Sequence, residues 1–227
     1  MKSRRAEAAR VNKLYEWEEL RRPRAQYIAG VDEAGRGPVA GPLVAAAVIL
    51  PAHPRIPKLN DSKKLTQKTR ERIFDYILET GIAVGVGIRS ARFIDEFGIV
   101  AATFSAMKAA IKMLAFRGYE PDLVVVDGYP IPDLKISQEA LIKADNRVAS
   151  VACASIVAKV VRDKMMEEFE RLYPGYGFAN HKGYCTKEHV ERLTQRGPCP
   201  IHRRSFEPVR SLLADGSPLN TRRHVTG

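Results

Sequence analysis

Consecutive or alternating apolar residues mark strands, and apolar residues three and four apart mark helices. Residues 1–24 carry a charged helical pattern with a thin apolar stripe, Val11, Leu14 and Tyr15, and Pro23 ends it. Tyr27 to Val31 is short and β-prone, and Leu43 to Leu50 is a fully apolar second strand. "PAHPRIP" turns the chain, and Thr66 caps a helix whose apolar face is Ile73, Phe74, Ile77 and Leu78. "GIAVGVGI" predicts a third strand, loosened by glycines. Ile94 to Arg117 is helical, with Met107, Ala110, Ile111 and Leu114 on one face and Gly118 as its stop. "PDLVVVDG" is a fourth strand ending on Asp127, and "EALIKAD" a short fifth strand or extended segment ending on Asp145. Val148 to Leu172 reads as a long helix, rich in small residues at its start. A loop with Gly175, Gly177 and Gly183 follows, then a helix near Thr186 to Arg196 and a short one near Phe206 to Leu213.

Strands that come first and then alternate with helices predict an α/β domain around a central sheet, with a helical C-terminal appendage. The expected division is a helical extension over 1–24, a catalytic domain over 25–172, a helical subdomain over 173–214 and a polar tail over 215–227. A chain of 227 residues, 45% hydrophobic, fits one large domain with appendages. No apolar run approaches membrane-spanning length, and "AEAARVNKLYEWEEL" behind Lys2, Arg4 and Arg5 is no signal-peptide core. The expectation is a soluble cytoplasmic protein with no membrane partner. Three cysteines, Cys153, Cys185 and Cys199, argue against a disulfide framework.

Charge changes the picture. Thirty-seven Lys and Arg against 26 Asp and Glu give a formal +11. Such an excess favours a polyanionic partner, through release of its condensed counterions. A merely solvated basic surface is the alternative, and charge alone leaves both open.

The acids stand where chemistry is usually held. Asp32 and Glu33 end the first strand, Asp127 ends the fourth, and Asp145 follows the segment after it. Strand-end loops lie on a rigid scaffold and commonly carry catalytic groups. Four converging carboxylates would repel one another and tend to protonate, and a divalent cation resolves that conflict. Oxygen-only ligands suit Mg²⁺ or Mn²⁺. Each acid alone reads as an ordinary turn residue. Together with the glycine loop beside them, the metal reading is preferred.

That loop, "GRGPVAGP", lacks the Gly-Lys-Ser/Thr ending of a phosphate-binding loop, and Gly35-Arg36-Gly37 is too short for a dinucleotide fingerprint. Its glycines let backbone approach a ligand closely. Arg36 between them can point at phosphate or at a sugar hydroxyl; the alternative is a plain turn stiffened by Pro38 and Pro42.

Five ordered stretches resemble the signatures of one family, ribonuclease HII, a type 2 ribonuclease H. They are "GVDEAGRGPVAGPLVAAAVIL", "LNDSKKLT", "VVVDG", "KAD" with "ASIVAKVVRD", and "HKGY" with "GPCPIHRRSF", from about Tyr27 to Phe206. The resemblance implies a ribonuclease H-like fold with a mixed central sheet flanked by helices. It implies an endonuclease that cuts the RNA strand of RNA–DNA hybrids, and cuts 5′ of a single ribonucleotide embedded in duplex DNA. By position it implies Asp32, Glu33, Asp127 and Asp145 as metal-binding acids, Gly35, Arg36 and Gly37 as sensors of the 2′-hydroxyl, and Tyr184 packed on the sugar of the following deoxynucleotide. Two metal ions, Mg²⁺ or Mn²⁺, would activate water and stabilise the leaving 3′-oxygen. The 2′-hydroxyl is what separates RNA from DNA at a given site, so a bare loop against it makes physical sense. A monomer is expected.

Asp61, Ser62, Lys63 and Lys64 of "NDSKKL" are candidate phosphate contacts, Lys63 or Lys64 preferred, with a solvated helix approach as the alternative. Lys159 and Arg162 either face the site or pair with Asp163, an acid read as structural. Three positions depart from the family pattern: Cys185 and Gly98 stand where glycine and asparagine are expected, and Cys153 lies in a run usually built of alanine. His181, Cys185, His189, Cys199 and His202 invite a zinc reading, but their spacing does not match the finger pattern, and the reading without zinc is preferred. A non-catalytic nucleic-acid binding module is the rival function, and a metal nuclease for another nucleic-acid structure a third. The presence of all four acids favours the enzyme.

Overall fold

The structure is a computed structural model and describes residues 2–216. Most of the expected polar tail, 217–227, lies outside the described residues. The chain divides into two compact units. The first comprises Met1–Ala34, Val44–Gly87 and Phe104–Val160, and the second Gly35–Leu43, Ile88–Thr103 and Val161–Gly227.

One five-stranded sheet runs in the order β3-β2-β1-β4-β5. Its strands are β1 Ile28–Ala34, β2 Leu43–Ile49, β3 Ala83–Arg89, β4 Leu123–Asp127 and β5 Ser137–Leu141. β1 is antiparallel to β2, with Ala29 opposite Ile49 and Ala34 opposite Val44. It is parallel to β4, with Val31 beside Val126, and β4 is parallel to β5. The sheet is therefore mixed, as expected. Every residue of β2, "LVAAAVI", is buried, which is why this strand reads as a continuous apolar run without alternation.

Seven helices are described: α1 Lys2–Glu19, α2 Gln67–Thr80, α3 Ala91–Phe116, α4 Ala149–Leu172, α5 Phe178–His181, α6 Lys187–Arg196 and α7 Val209–Ala214. Val11, Leu14 and Tyr15 of α1 are buried as the stripe predicted. The Tyr15 hydroxyl accepts the Ile56 N–H at 3.0 Å. Glu18, wholly buried, accepts the Ser150 N–H at 2.8 Å, so a carboxylate from α1 caps the first turn of α4. Burial raises the Glu18 pKa. α4 lies directly on β1: a Cβ added to Gly30 would stand 2.2 Å from the Val151 nitrogen. This close approach explains the small residues at the start of α4, including the fully buried Cys153.

Four expectations need correction. The first strand runs past Val31, because pairing with β2 continues to Ala34, so Asp32 and Glu33 lie within its last three residues. Asp145 is on no strand; after β5 the chain takes a left-handed turn at Lys143 and enters a 3-10 turn, Ala144–Asn146. In α2, Ile73 and Ile77 are buried, but Leu78 is exposed. Finally, α3 is long and apolar enough to cross a membrane by length and composition. Charges at Lys108 and Lys112 break its apolar run in the sequence, and its Ala102, Ala106, Met107, Ala110, Ile111 and Leu114 are buried in the protein. α3 is kinked at Gly98, whose φ of 81° and ψ of 161° belong to a region that side chains other than glycine's avoid. That conformation is a backbone reason for glycine at this position.

In the second unit, Ala40, Met166, Tyr173, Tyr176, Phe178 and Cys199 form one buried cluster. Val39, Leu193 and Val209 form another, with Phe206, Leu212 and Leu213 packed on it. Thr186 caps α6 by accepting the His189 N–H.

Candidate active site

The acids gather in the first unit. Asp32 and Asp145 are buried, and Asp127 is half-buried at the end of β4. Asp32 accepts the Glu33 N–H at 2.7 Å, and Asp127 accepts the Ala144 N–H at 2.7 Å. The second bond ties the end of β4 to the turn that carries Asp145. Asp145 accepts from the Asn146 side chain at 2.8 Å. Burial, then repulsion from Glu33 and Asp127, pushes the Asp32 pKa well up. Burial, then repulsion from Asp61 and Asp127, raises Asp145. Each thus feels the Asp127 charge, which makes one electrostatic cluster of three of the four expected acids, with Glu33 acting on Asp32.

Asp61 joins this cluster, although the sequence suggested only phosphate contact for its segment. It is buried, caps the 3-10 turn Ser62–Lys64, and accepts the Lys63 N–H at 2.9 Å. Ser62 and Ser155 share a hydrogen bond of 2.9 Å, and Ser155 also bonds Asp32. The sequence singled out Ser62 only as a phosphate contact and Ser155 not at all, because their meeting is non-local. Lys63 and Lys64 are exposed on that turn; Lys63 lowers the Asp145 pKa, and Lys64 donates to Asn146 at 2.5 Å. Among the described residues, no three His, Cys, Asp or Glu groups are drawn tightly enough to cage an ion as they stand. The donor chemistry nevertheless fits a hard divalent cation: buried carboxylate oxygens, mutually repelling, with only sparse donors opposing them.

The other expected residues lie in the second unit. Gly35 has φ of 98°, and a Cβ there would stand 2.3 Å from Arg162 Nε, so conformation and space both demand glycine. A Cβ on Gly37 would lie 3.9 Å from the Tyr184 ring, which puts the loop and the tyrosine side by side. Tyr184 is exposed, and Val39 N–H bonds Gly183 O at 2.9 Å next to it. Cys185, beside Tyr184, is exposed.

Two buried arginines build this loop. Arg162 donates to Pro42 O at 3.0 Å, Ala40 O at 3.1 Å and Lys182 O at 2.9 Å. Its role is thus main-chain support, which neither sequence reading anticipated. Arg203 donates to Gly35 O at 2.5 Å, Arg36 O at 2.9 Å and Gly41 O at 3.1 Å. Burial pulls Arg203 down to about 9 and Arg162 to about 10, with Arg162 repelling Arg203. Arg203 stood in "HRRSF" with no signal of this task, since main-chain acceptors leave no mark in a sequence.

Four of the five residues of the zinc reading, His181, His189, Cys199 and His202, are engaged with one another and with main chain, while Cys185 is exposed. Cys199 and His202 are 3.1 Å apart, His202 meets His189 at 3.1 Å, and His181 stacks on His189 with centroids 4.2 Å apart.

The family model for ribonuclease HII matches residues 29–209. The ribonuclease HII of Lachnoclostridium phytofermentans is 49% identical over 201 residues, which is 88% of this chain and 78% of that one. Among solved structures, ribonuclease H2 from Pyrococcus horikoshii OT3 superposes with a TM-score of 0.62 at 27% identity, covering 83% of this chain and 98% of that one. Bst ribonuclease HIII, solved in complex with Mn²⁺, shares the fold at a TM-score of 0.58 and 23% identity, covering 83% of this chain and 70% of that one.

Proposed function

This chain belongs to the ribonuclease HII family, endonucleases that act on RNA–DNA hybrids, and from that premise we propose a metal-dependent cut 5′ of single ribonucleotides embedded in duplex DNA. Water is added across the P–O3′ bond, leaving 3′-hydroxyl and 5′-phosphate ends. The task is removal of ribonucleotides from DNA, by a monomer in the cytoplasm.

One observation carries the reading: Asp32 and Asp145 are buried near further carboxylates, and burial first, then repulsion in which Asp127 acts on each, raises both. Such a cluster is relieved by cations. Asp32, Glu33, Asp127 and Asp145 would hold Mg²⁺ or Mn²⁺, two ions during catalysis; the Mn²⁺ complex of the ribonuclease HIII supports the choice. When bound, the metal supplies Lewis acidity and an activated water. The chain's own residues do the rest. Ser155 orients Asp32, and the Ala144 N–H orients Asp127. Lys63 and Lys64 offer positive charge to flanking phosphates. Gly35, Arg36 and Gly37 meet the 2′-hydroxyl, and Tyr184 packs on the next sugar.

The test is a duplex with one ribonucleotide beside an all-DNA control, with Mg²⁺, Mn²⁺ or chelator. Cleavage confined to the ribonucleotide duplex and abolished by chelator is expected. Cleavage of the all-DNA duplex, or undiminished cleavage in chelator, overturns the reading.

A further inference from the structure

His202 and Arg203 are neighbours in sequence, and their side chains go to different parts of the second unit. Their main chain runs along the glycine loop: Ala40 and His202 form an antiparallel bridge, Gly41 N–H bonds Ile201 O at 2.8 Å, and Arg203 N–H bonds Val39 O at 2.9 Å.

Arg203 takes the carbonyls of Gly35 and Arg36. In a trans peptide the N–H points opposite to its carbonyl. The cis peptides precede Pro54 and Pro208 and do not involve this loop. The N–H groups of Arg36 and Gly37 are therefore turned away from the guanidinium. One side chain thus sets two adjacent peptide planes.

His202 reaches Tyr184 through His189, and the shorter contacts assign each ring a tautomer. His189 Nδ1 lies 2.8 Å from Tyr184 O, an acceptor only, so Nδ1 carries the hydrogen. His189 Nε2 is then bare. The Cys199 N–H donates to His202 Nδ1 at 2.9 Å, a shorter contact than the 3.3 Å from that nitrogen to Cys199 O, and this assigns Nδ1 as bare. His202 Nε2 must carry its hydrogen and donate to His189 Nε2 at 3.1 Å. His181 closes the array: its Nδ1 accepts the Gly183 N–H at 3.2 Å, and its Nε2 donates to Tyr176 O at 2.8 Å. The result is a directed relay from His202 to His189, ending on the main chain of Tyr184.

We propose that His202 and Arg203 are positioning residues for ribonucleotide recognition, Arg203 setting the peptide planes of the Gly35–Gly37 loop and His202, through His189, setting the main chain of Tyr184. The proposal rests on the sugar-contact reading of that loop and of Tyr184. It makes the two halves separable. Every substrate of the enzyme has a 2′-hydroxyl at the cleaved residue, so the loop serves all of them. A deoxynucleotide follows the cleaved residue at a lone ribonucleotide, whereas a ribonucleotide follows it within a continuous RNA strand, so Tyr184 matters most at the former.

The experiment compares single-turnover cleavage of a lone-ribonucleotide duplex and a continuous RNA–DNA hybrid, each normalised to folded fraction. His202→Phe keeps ring and volume but loses both nitrogens; it is expected to lower the lone-ribonucleotide to hybrid ratio by about tenfold, a typical penalty for slight misplacement. His202→Gln, which keeps a donor near Nε2, is expected to recover part of that ratio. Arg203→Met is expected to slow both substrates by about 100-fold with duplex affinity little changed, and Arg203→Lys to do less. Tyr184→Ala is the control for the underlying reading. If it lowers the ratio and His202→Phe does not, the His202 half is overturned. If it leaves the ratio unchanged, the sugar-contact reading of Tyr184 fails and the His202 half falls with it, while Arg203 is judged on its own result. Unchanged cleavage by Arg203→Met overturns the Arg203 half. Imidazole ¹⁵N spectra of the unaltered protein at neutral pH give a check independent of mutant folding: His189 protonated at Nδ1 and His202 at Nε2 are expected, and the opposite tautomers overturn the relay.

Discussion

Both units bury charge, and they treat it in opposite ways. In the first, Asp32 and Asp145 lie among other carboxylates, and each is harder to ionise for it. In the second, Arg162 and Arg203 are just as buried, but each guanidinium is covered by main-chain oxygens. A buried charge costs least when hydrogen-bonded and most when it faces its own sign. The acid cluster is therefore a strained site suited to a cation, and the arginine pair is a finished scaffold.

Mutations should break this contrast in opposite directions. The largest effect is expected at the acids: Asp32→Asn or Asp127→Asn should cut turnover by about 10³-fold or more, roughly 4 kcal/mol of barrier. Hybrid binding should survive, and for Asp32→Asn the melting temperature should rise, because a neutral isostere removes a buried repulsion. Near-normal turnover under saturating metal would take that residue out of the site. Next comes Arg203→Met, which strands the carbonyls of Gly35, Arg36 and Gly41; a loss of about 3 kcal/mol in urea-unfolding stability is expected. A loss below about 1 kcal/mol would mean that water replaces the guanidinium.

A pH titration sharpens the comparison further. Burial depresses His189 to about 4 and His202 to about 3, against about 6.5 unfolded. The unfolded chain thus binds more protons, and stability should fall as pH drops from 6.5 towards 4, by at most about 1.4 kcal/mol per pH unit per group. Asp32, Asp145 and Glu18, all raised, act in the other sense and gain stability as pH falls. The histidine share is the difference in urea stability between the protein and a His189→Phe, His202→Phe double variant across that window. Parallel curves would contradict buried neutral rings. The smallest effect is expected at a helix end: Thr186→Ala, which uncaps α6 beside the relay, should cost about 1 kcal/mol in the same unfolding assay.

What the sequence made legible follows the range of the interactions. Apolar periodicity located the strands and long helices, because burial of each face is a local signature. The four acids were legible through their ordered motifs. That Asp32 and Glu33 sit inside β1 was not, since it depends on where β2 stops pairing. Nor was the turn at Asp145, because "LIKAD" holds neither glycine nor proline to announce it. Ser62, Ser155, Arg162 and Arg203 act on partners far along the chain, several of them main-chain atoms. A sequence records the donor in such cases but not the acceptor.

The Glu18 contact bears on where this protein can be cut. The match to the family model begins at residue 29, yet the carboxylate that caps α4 comes from residue 18. Trp17 and Ala25 also pack in the cluster of Ile28, Val125 and Val148. The stretch that the family model matches and the stretch that folds are thus different lengths. Trimming to residues 29–209 would uncap α4, the helix that lies across β1, and loosen the strand that carries Asp32.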